Sequence, residues 1–396
     1  MGVARAGGVL ASSCARAPGL RSGGMTPVDE SRQAAAGAGV PDDATRRPVA
    51  PLELVAMDRA LELASRGPAG GANPRVGCVL LDGAGRTLAE AWHEGAGTPH
   101  AEAAAVAAAR AAGADLHGAT AVVTLEPCRH TGRTPPCVDL LLDAGIARVV
   151  YGLDDPNPAA GGGARVLAAR GVDVVGGVRG SAAAELLRAW AGSVRAGRPW
   201  VTLKLATSLD GRVAAADGSA RWITSAEARA HGHRLRAEVG AIAVGTGTVL
   251  ADDPALTARQ ADGSPARDQP LRVVVGERDL PVGARLHGPG GEVVHVRTHD
   301  PADVLEVLAQ RQVRHLLVEG GPTLSAAFLR SGLVDQVVAY VAPALLGAGP
   351  AAVGDLGITG IGDALRLHLR SVERVGPDVV VVAEPGPGDG PVGEEH

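Results

Sequence analysis

Aromatic side chains are nearly missing, with four Trp, two Tyr and one Phe in 396 residues. A protein that holds flipped or single-stranded bases on ring faces needs more than this, so nucleic-acid substrates are disfavoured. Cysteine is also sparse. Cys14, Cys78, Cys128 and Cys137 are too few to staple so long a chain, which points to a reducing compartment, the cytoplasm. No long basic block accompanies the net charge of -5, so the footprint of a duplex-binding protein is absent. No apolar run approaches the roughly 18 residues of a membrane span.

What is present is unevenly distributed. Residues 1–50 are Ala, Gly, Pro, Ser and Arg without periodicity, and a disordered tail is expected there. "GGVLASSCARA" loosely suggests an export signal, but its apolar segment is short and broken by Cys14 and Arg16. A start at Met25 or Met57 is an equal rival. From Leu52 the pattern changes: "LELVAMDRALELASRG" has helical spacing and stops at Gly67. "VGCVLLDGAGRTLAEAWH" is expected to be a hairpin turning at Asp82-Gly83. "TPHAEAAAVAAARAAG" is expected to be a helix capped by Thr98, with Pro99 in its first turn and Gly113 at its end. A strand, a helix and a strand follow in "ATAVVTLEPC", "CVDLLLDAG" and "IARVVYGL", the alternation of a layered α/β domain. Composition shifts again at "VRAGRPW", which divides residues 51–195 from a second α/β domain at 199–385; residues 386–396 are expected to be a flexible tail.

"TLEPCRHTGRTPPC" sets Cys128 and Cys137 on either side of a basic, proline-rich loop. Two thiols so placed suit a disulfide, two small buried residues, or two legs of a metal site. Catalytic zinc takes three N and S ligands and keeps a fourth position open, and His100 with the two cysteines supplies that set. Helix N-termini beside His100 and Cys137 favour thiolates. Glu102 discriminates between a structural and a catalytic site. A closed structural site has no use for an uncoordinated carboxylate, whereas hydrolysis at an amidine-like carbon needs a group that moves a proton from water to departing ammonia. "HAE" and "EPC" match the H-x-E and P-C pattern of zinc deaminases, with eight residues between the cysteines instead of two. The insert brings His130 and Arg133 beside the metal loop, where they can meet an anionic group.

With "NPRVGCV", "PHAE", "TLEPCRHTGRTPPC" and "DDPNP" in order, the chain resembles the bifunctional riboflavin-biosynthesis deaminase/reductases. The resemblance implies a cytidine-deaminase-like α/β/α domain holding Zn2+, followed by a dihydrofolate-reductase-like α/β domain using NADPH. It implies a small phosphorylated pyrimidine as substrate. By position, Asn73, His93, His130 and Arg133 fall on substrate contacts, while Ala72 and Arg129 depart from the usual residues beside the motifs. Taken as residues alone, Asn73 before Pro74 also suits a turn, and His93 a loop carbonyl.

In the second half, "GTGT" and "EGGPT" each follow an apolar run, and the second precedes a helix able to receive a phosphate. "KLATSLDGRVA", "RWITS", "GTGTVLADDPALTAR" and "VEGGPTL" are similar, in order, to the reductase half of the same family. The resemblance implies that Ala206, Trp222, Thr248, Asp252 and the turn Gly321, Pro322, Thr323, Leu324 hold NADPH. It implies that Arg236, Leu256, Arg259 and Glu319 hold the substrate, and that Ala220 stands where a serine often meets it, so that one hydrogen bond is either lost there or moved to Ser219. Lys204 and Asp210 are candidates to manage protons or hold sugar hydroxyls, against the plainer roles of strand-edge lysine and turn residue. The expected activity is zinc-dependent deamination followed by NADPH-dependent reduction of the ribosyl to a ribityl chain, in a homo-oligomer without nucleic-acid or membrane partners. The rivals are a nucleic-acid or free-base zinc deaminase with an accessory domain and a non-catalytic zinc and nucleotide-binding regulator, which Glu102 argues against.

Overall fold

The computed structural model of the chain describes residues 47–131, 135–220, 222–260 and 262–386. Arg133, Cys14 and most of the two expected tails lie outside them.

The N-terminal part runs α1 (Pro51–Ala64), β1 (Gly77–Leu81), β2 (Thr87–Trp92), α2 (Ala101–Ala111), β3 (Thr120–Leu125), α3 (Cys137–Asp143), β4 (Arg148–Leu153), α4 (Gly163–Ala169), β5 (Asp173–Val175), α5 (Gly180–Leu186) and α6 (Arg188–Ala196). The strands form one sheet in the order β2-β1-β3-β4-β5. β1 is antiparallel to both β2 and β3, and β3, β4 and β5 are parallel. Side chains alternate across the sheet: Val79 and Leu81 meet Met57, Ala60 and Leu63 of α1 together with Val122 and Val150. Cys78, on the other face, lies near Glu102 of α2. The hairpin turns through Asp82, whose carboxylate accepts from Ala84 N and Arg86 N.

Three local expectations are corrected. α1 ends at Ala64, not Gly67; a Cβ at Gly67 would lie 2.7 Å from the His93 carbonyl, so glycine serves a close approach there. Thr98 does not cap α2. His100 is the N-cap residue, and Thr98 Oγ1 donates to Gly95 O at 2.8 Å. Residues 47–50 are not part of a free tail, because the buried Arg148 side chain donates to the carbonyls of Arg47 and Pro48 while pairing with Glu53 at 2.7 Å and with Asp173.

The C-terminal part runs β6 (Trp200–Ser208), α7 (Ala226–Ala237), β7 (Ala241–Gly245), α8 (Thr246–Asp252), β8 (Leu271–Val275), β9 (Val293–Val296), α9 (Pro301–Gln310), β10 (His315–Val318), α10 (Pro322–Arg330), β11 (Gln336–Ala342), β12 (Leu367–Val375) and β13 (Asp378–Pro385). Its sheet order is β12-β13-β11-β6-β10-β7-β8-β9, parallel from β11 to β9 with an antiparallel β13-β12 extension. Helices cover both faces of the parallel part, so its strands read as continuous apolar runs. Ala241, Ala243, Val273 and Val275 face Val304 and Leu308 of α9, while Ile242, Val244 and Val274 face Val249 and Leu286. Both glycine turns that the sequence singles out end a strand and open a helix: "GTGT" leads from β7 into α8, and "EGGPT" from β10 into α10. Among the described residues no helix is long and apolar enough to cross a membrane.

Candidate active sites

His100 stays extended, one residue ahead of α2, while Glu102 sits in the first helical turn. Cys128 follows β3 and Cys137 opens α3, so two strand or loop ends and a helix start converge. His100 Nδ1 lies 3.6 Å from Cys128 Sγ and 3.3 Å from Cys137 Sγ, and the three donor atoms lie within 4.8 Å of one another. Zinc bonds of about 2.05 Å to N and 2.3 Å to S at tetrahedral angles would separate N from S by about 3.5 Å. The trio therefore fits zinc. The cysteines are free, which removes the disulfide reading.

Charge within the trio is uneven. The Cys137 thiol donates toward Cys128 Sγ and, with His100 adding to it, holds the Cys128 thiol well below its usual range. The same negative sulfur and burial push Cys137 up, and hydrogen bonding to Cys128 raises His100. Glu102 is buried and raised, first by desolvation and then by the Cys128 charge. It lines a cavity of about 190 Å³ together with His100 and Cys128.

The expected substrate contacts largely converge on this cavity. Asn73, His93 and His130 line it, and Arg133 lies outside the described residues. A carbonyl can only accept, so His93 Nδ1 donates to Pro99 O at 2.9 Å, and Nε2 accepts from Asn73 Nδ2 at 3.0 Å. His93 thus does bond a loop carbonyl, and in doing so it aims the Asn73 amide. Burial lowers its pKa, in keeping with a neutral ring. His130 Nδ1 is buried without a partner among the described residues, as suits a donor or acceptor awaiting a ligand.

Sequence reasoning gave no role to Asp155 and Asn157, which line the same cavity and belong to the "DDPNP" motif. Burial pushes the Asp155 carboxyl up to about 6. Their loop is held by Glu126, whose carboxylate accepts from the backbone N–H groups of Asp155, Gly162 and Ala164. Gly163 completes the junction: a Cβ there would lie 1.8 Å from the Pro127 carbonyl, next to Cys128. Gly163→Ala is accordingly expected to cost about 1–3 kcal/mol by overpacking and to lower zinc retention, as read by thermal unfolding and metal stoichiometry.

The second site is a cleft of two adjoining cavities. The larger, about 950 Å³, is lined by Ala206, Thr248, Asp252 and the Gly321 to Leu324 turn. A Cβ on Gly321 would lie 3.7 Å from Thr248 Oγ1, so the two glycine turns face each other across it. This room, with the backbone bare at the N-terminus of α10, fits a dinucleotide. Arg278, beside Gly247 on the same wall, was invisible as a lone loop arginine.

The smaller cavity, about 330 Å³, is lined by Trp222, Arg236, His233 and Tyr340, and it shares Lys204, Ala206, Ala220 and Glu319 with the larger. Glu319 accepts from Arg236 Nε at 2.7 Å and Nη2 at 2.8 Å, and from Lys204 Nζ at 3.4 Å. Despite burial, Arg236 and then Lys204 hold its carboxyl far below the usual range. Trp222 thus stands with the expected substrate residues, its ring under Arg229 at 4.0 Å, and not among the glycine turns.

Three expectations do not converge on the cleft, and a fourth reaches it only from the rim. Asp210 accepts from Ser208 Oγ, Leu346 N and Gly347 N, which makes it a turn lock and pulls its pKa down to about 2. Leu256 has φ 53° and a side chain in the hydrophobic core, so only its backbone could serve a ligand. Arg259 is exposed, on a β-bridge to Pro265, and its charge acts on His233 of the smaller cavity. Ser219 Oγ donates to Asp217, so it does not replace the missing hydroxyl at Ala220.

Comparison with known proteins agrees with this division of chemistry. Residues 53–153 match the family model for the cytidine and deoxycytidylate deaminase zinc-binding region, and residues 199–381 match the RibD C-terminal domain. The chain is 53% identical to riboflavin biosynthesis protein RibD of Mycobacterium tuberculosis over 78% of this chain and 90% of that one. It is 41% identical to the Escherichia coli RibD over 82% of this chain and 96% of that one. A solved Thermotoga maritima diaminohydroxyphosphoribosylaminopyrimidine deaminase/5-amino-6-(5-phosphoribosylamino)uracil reductase superposes with TM-score 0.77 at 33% identity, covering 85% of this chain and 99% of that one. An Acinetobacter baumannii RibD gives TM-score 0.75 at 36% identity with the same coverage. The two halves use zinc and NADPH respectively. Relatives of this identity that span both halves show the family, and this chain belongs to the RibD family of bifunctional riboflavin-biosynthesis deaminase/reductases.

Proposed function

We propose that residues 51–195 deaminate a phosphoribosylated diaminopyrimidinone and that residues 199–385 reduce the ribosyl side chain of the deaminated product. The observation that carries the reading is Glu102: a buried carboxylate outside the trio His100, Cys128 and Cys137 yet in the same cavity. When bound to the trio, zinc supplies Lewis-acid activation of water. Glu102 is placed to accept a proton from the attacking water and to deliver one to the departing amine, so that a C–O bond forms, the C–N bond then breaks and ammonia leaves. Asn73, aimed by His93, and His130 orient the ring, with Asp155 and Asn157 on the loop that Glu126 anchors. In the second cavity pair Arg236 and Glu319 hold the ribosyl substrate, and Lys204, between them and the glycine turns, is the proton source. When bound against those turns, NADPH supplies the reducing equivalents. Reduced thiols at Cys128 and Cys137 suit the cytoplasm.

The test is metal removal. Chelated protein is expected to release no ammonia from the diamino substrate while still oxidising NADPH on pre-deaminated substrate, and added zinc is expected to restore the first activity. Ammonia release that survives complete chelation would overturn the assignment.

A further inference from the structure

Residues 51–195 do not build the metal cavity alone. Beside Trp190 and Val194 of α6, which belong to that stretch, its lining includes Arg314 from the other sheet. Arg314 immediately precedes β10, and its carbonyl accepts from Trp200 N at 2.9 Å where β10 begins to pair with β6. The backbone of the reductase sheet therefore fixes the point from which this side chain enters the deaminase cavity.

Among the described residues the Arg314 guanidinium makes no hydrogen bond or ion pair, and its Nε is buried. The residue is half-buried, an arginine keeps its proton, and the buried Nε–H lacks an acceptor of its own. The carboxylates that share the cavity do not compensate it. Glu126 is committed to three backbone N–H groups, and neither Glu102 nor Asp155 forms an ion pair with it. A second unpartnered donor or acceptor, His130 Nδ1, belongs to the same cavity. A cavity holding an uncompensated guanidinium calls for an anion. Of the groups on a phosphoribosylated diaminopyrimidinone, the ring that reaches the metal trio is uncharged and only the phosphate is anionic. A planar guanidinium also matches phosphate oxygens in a bidentate manner.

We propose that Arg314 binds the substrate phosphate at the deamination site, so that the reductase half completes the deaminase cavity. The inference rests on the deaminase reading of that cavity. It makes Arg314 a specificity residue for phosphorylated over unphosphorylated substrate, with no part in proton transfer.

The test compares the full zinc-loaded chain with Arg314→Gln and Arg314→Lys on the phosphorylated substrate and on its dephosphorylated counterpart. Ammonia release gives kcat and KM, and equilibrium dialysis gives binding of each compound. Arg314→Gln is expected to raise KM and Kd for the phosphorylated compound about 10- to 100-fold, to leave kcat near wild type, and to leave the dephosphorylated compound unaffected; Arg314→Lys is expected to recover part of the loss. NADPH oxidation on pre-deaminated substrate serves as the folding control. An equal loss on both compounds, or none on either, overturns the inference while leaving the deaminase reading intact. If the wild type binds with this phosphate dependence but releases no ammonia, the deaminase reading falls and the phosphate site stands.

Discussion

Glu102→Gln is expected to lower kcat for ammonia release by about 10²–10⁴-fold, the usual worth of a positioned general acid–base, with zinc stoichiometry unchanged and NADPH oxidation on pre-deaminated substrate intact. Glutamine keeps the shape and can donate or accept a hydrogen bond, but it cannot carry the proton. Glu102 is buried at the first turn of α2, two residues beyond the ligand His100, so the substitution leaves the donor trio in place. A purely structural role predicts the opposite pattern, with metal and ammonia release lost together. Metal analysis beside single-turnover ammonia release separates the two.

Glu319→Gln is expected to strike the other half, in stability as well as activity. Its side chain is 8% exposed and lies against Arg236 and Lys204, so removing its charge leaves Arg236 without its bidentate partner. Breaking such a buried pair costs about 3–5 kcal/mol, and reduction is expected to fall about 10- to 100-fold with the lost charged hydrogen bonds. The pH dependence follows from the direction of the shift. Arg236 and Lys204 depress the folded-state pKa of Glu319, so its contribution is fully present above the unfolded carboxyl value of about 4.3 and is lost as pH falls through the depressed folded value. The stability gap between wild type and variant is therefore widest near neutral pH and narrows in acid. Urea unfolding at pH 7 and at pH 3.5 checks this; a gap independent of pH would exclude the charge as its cause.

Much of the deaminase site was legible because its chemistry is packed into short motifs. His100 and Glu102 are two residues apart, and Cys128 and Cys137 flank one loop, so local chain geometry already carries most of the constellation. The reductase cleft was less so. Its residues come from β6, α7, α8 and the turn after β10, and each type has an ordinary surface role, which is why Asp210 was as plausible a proton carrier as Lys204 until its carboxylate was found locking a turn. The part Leu256 could play was hidden for a related reason: a positive φ reverses where its side chain points, leaving only its backbone for a ligand, and periodicity carries no sign of that. Gly67 looked like a helix stop, but the constraint was the carbonyl of a residue far along the chain.

By itself the amino-acid sequence determined the α/β alternation, the candidate metal donors, the carboxylate two residues from His100 and the two glycine turns, because each depends on residues close in the chain or on side-chain chemistry alone. Only the tertiary structure decided which of these groups share a cavity. It paired Glu319 with Arg236, set His93 to aim Asn73, tied the Asp155 loop to Glu126, and brought Arg314 from one sheet to the cavity of the other. Those relations arise from how two sheets and their helices pack, and contacts between residues distant in the chain leave no spacing to read.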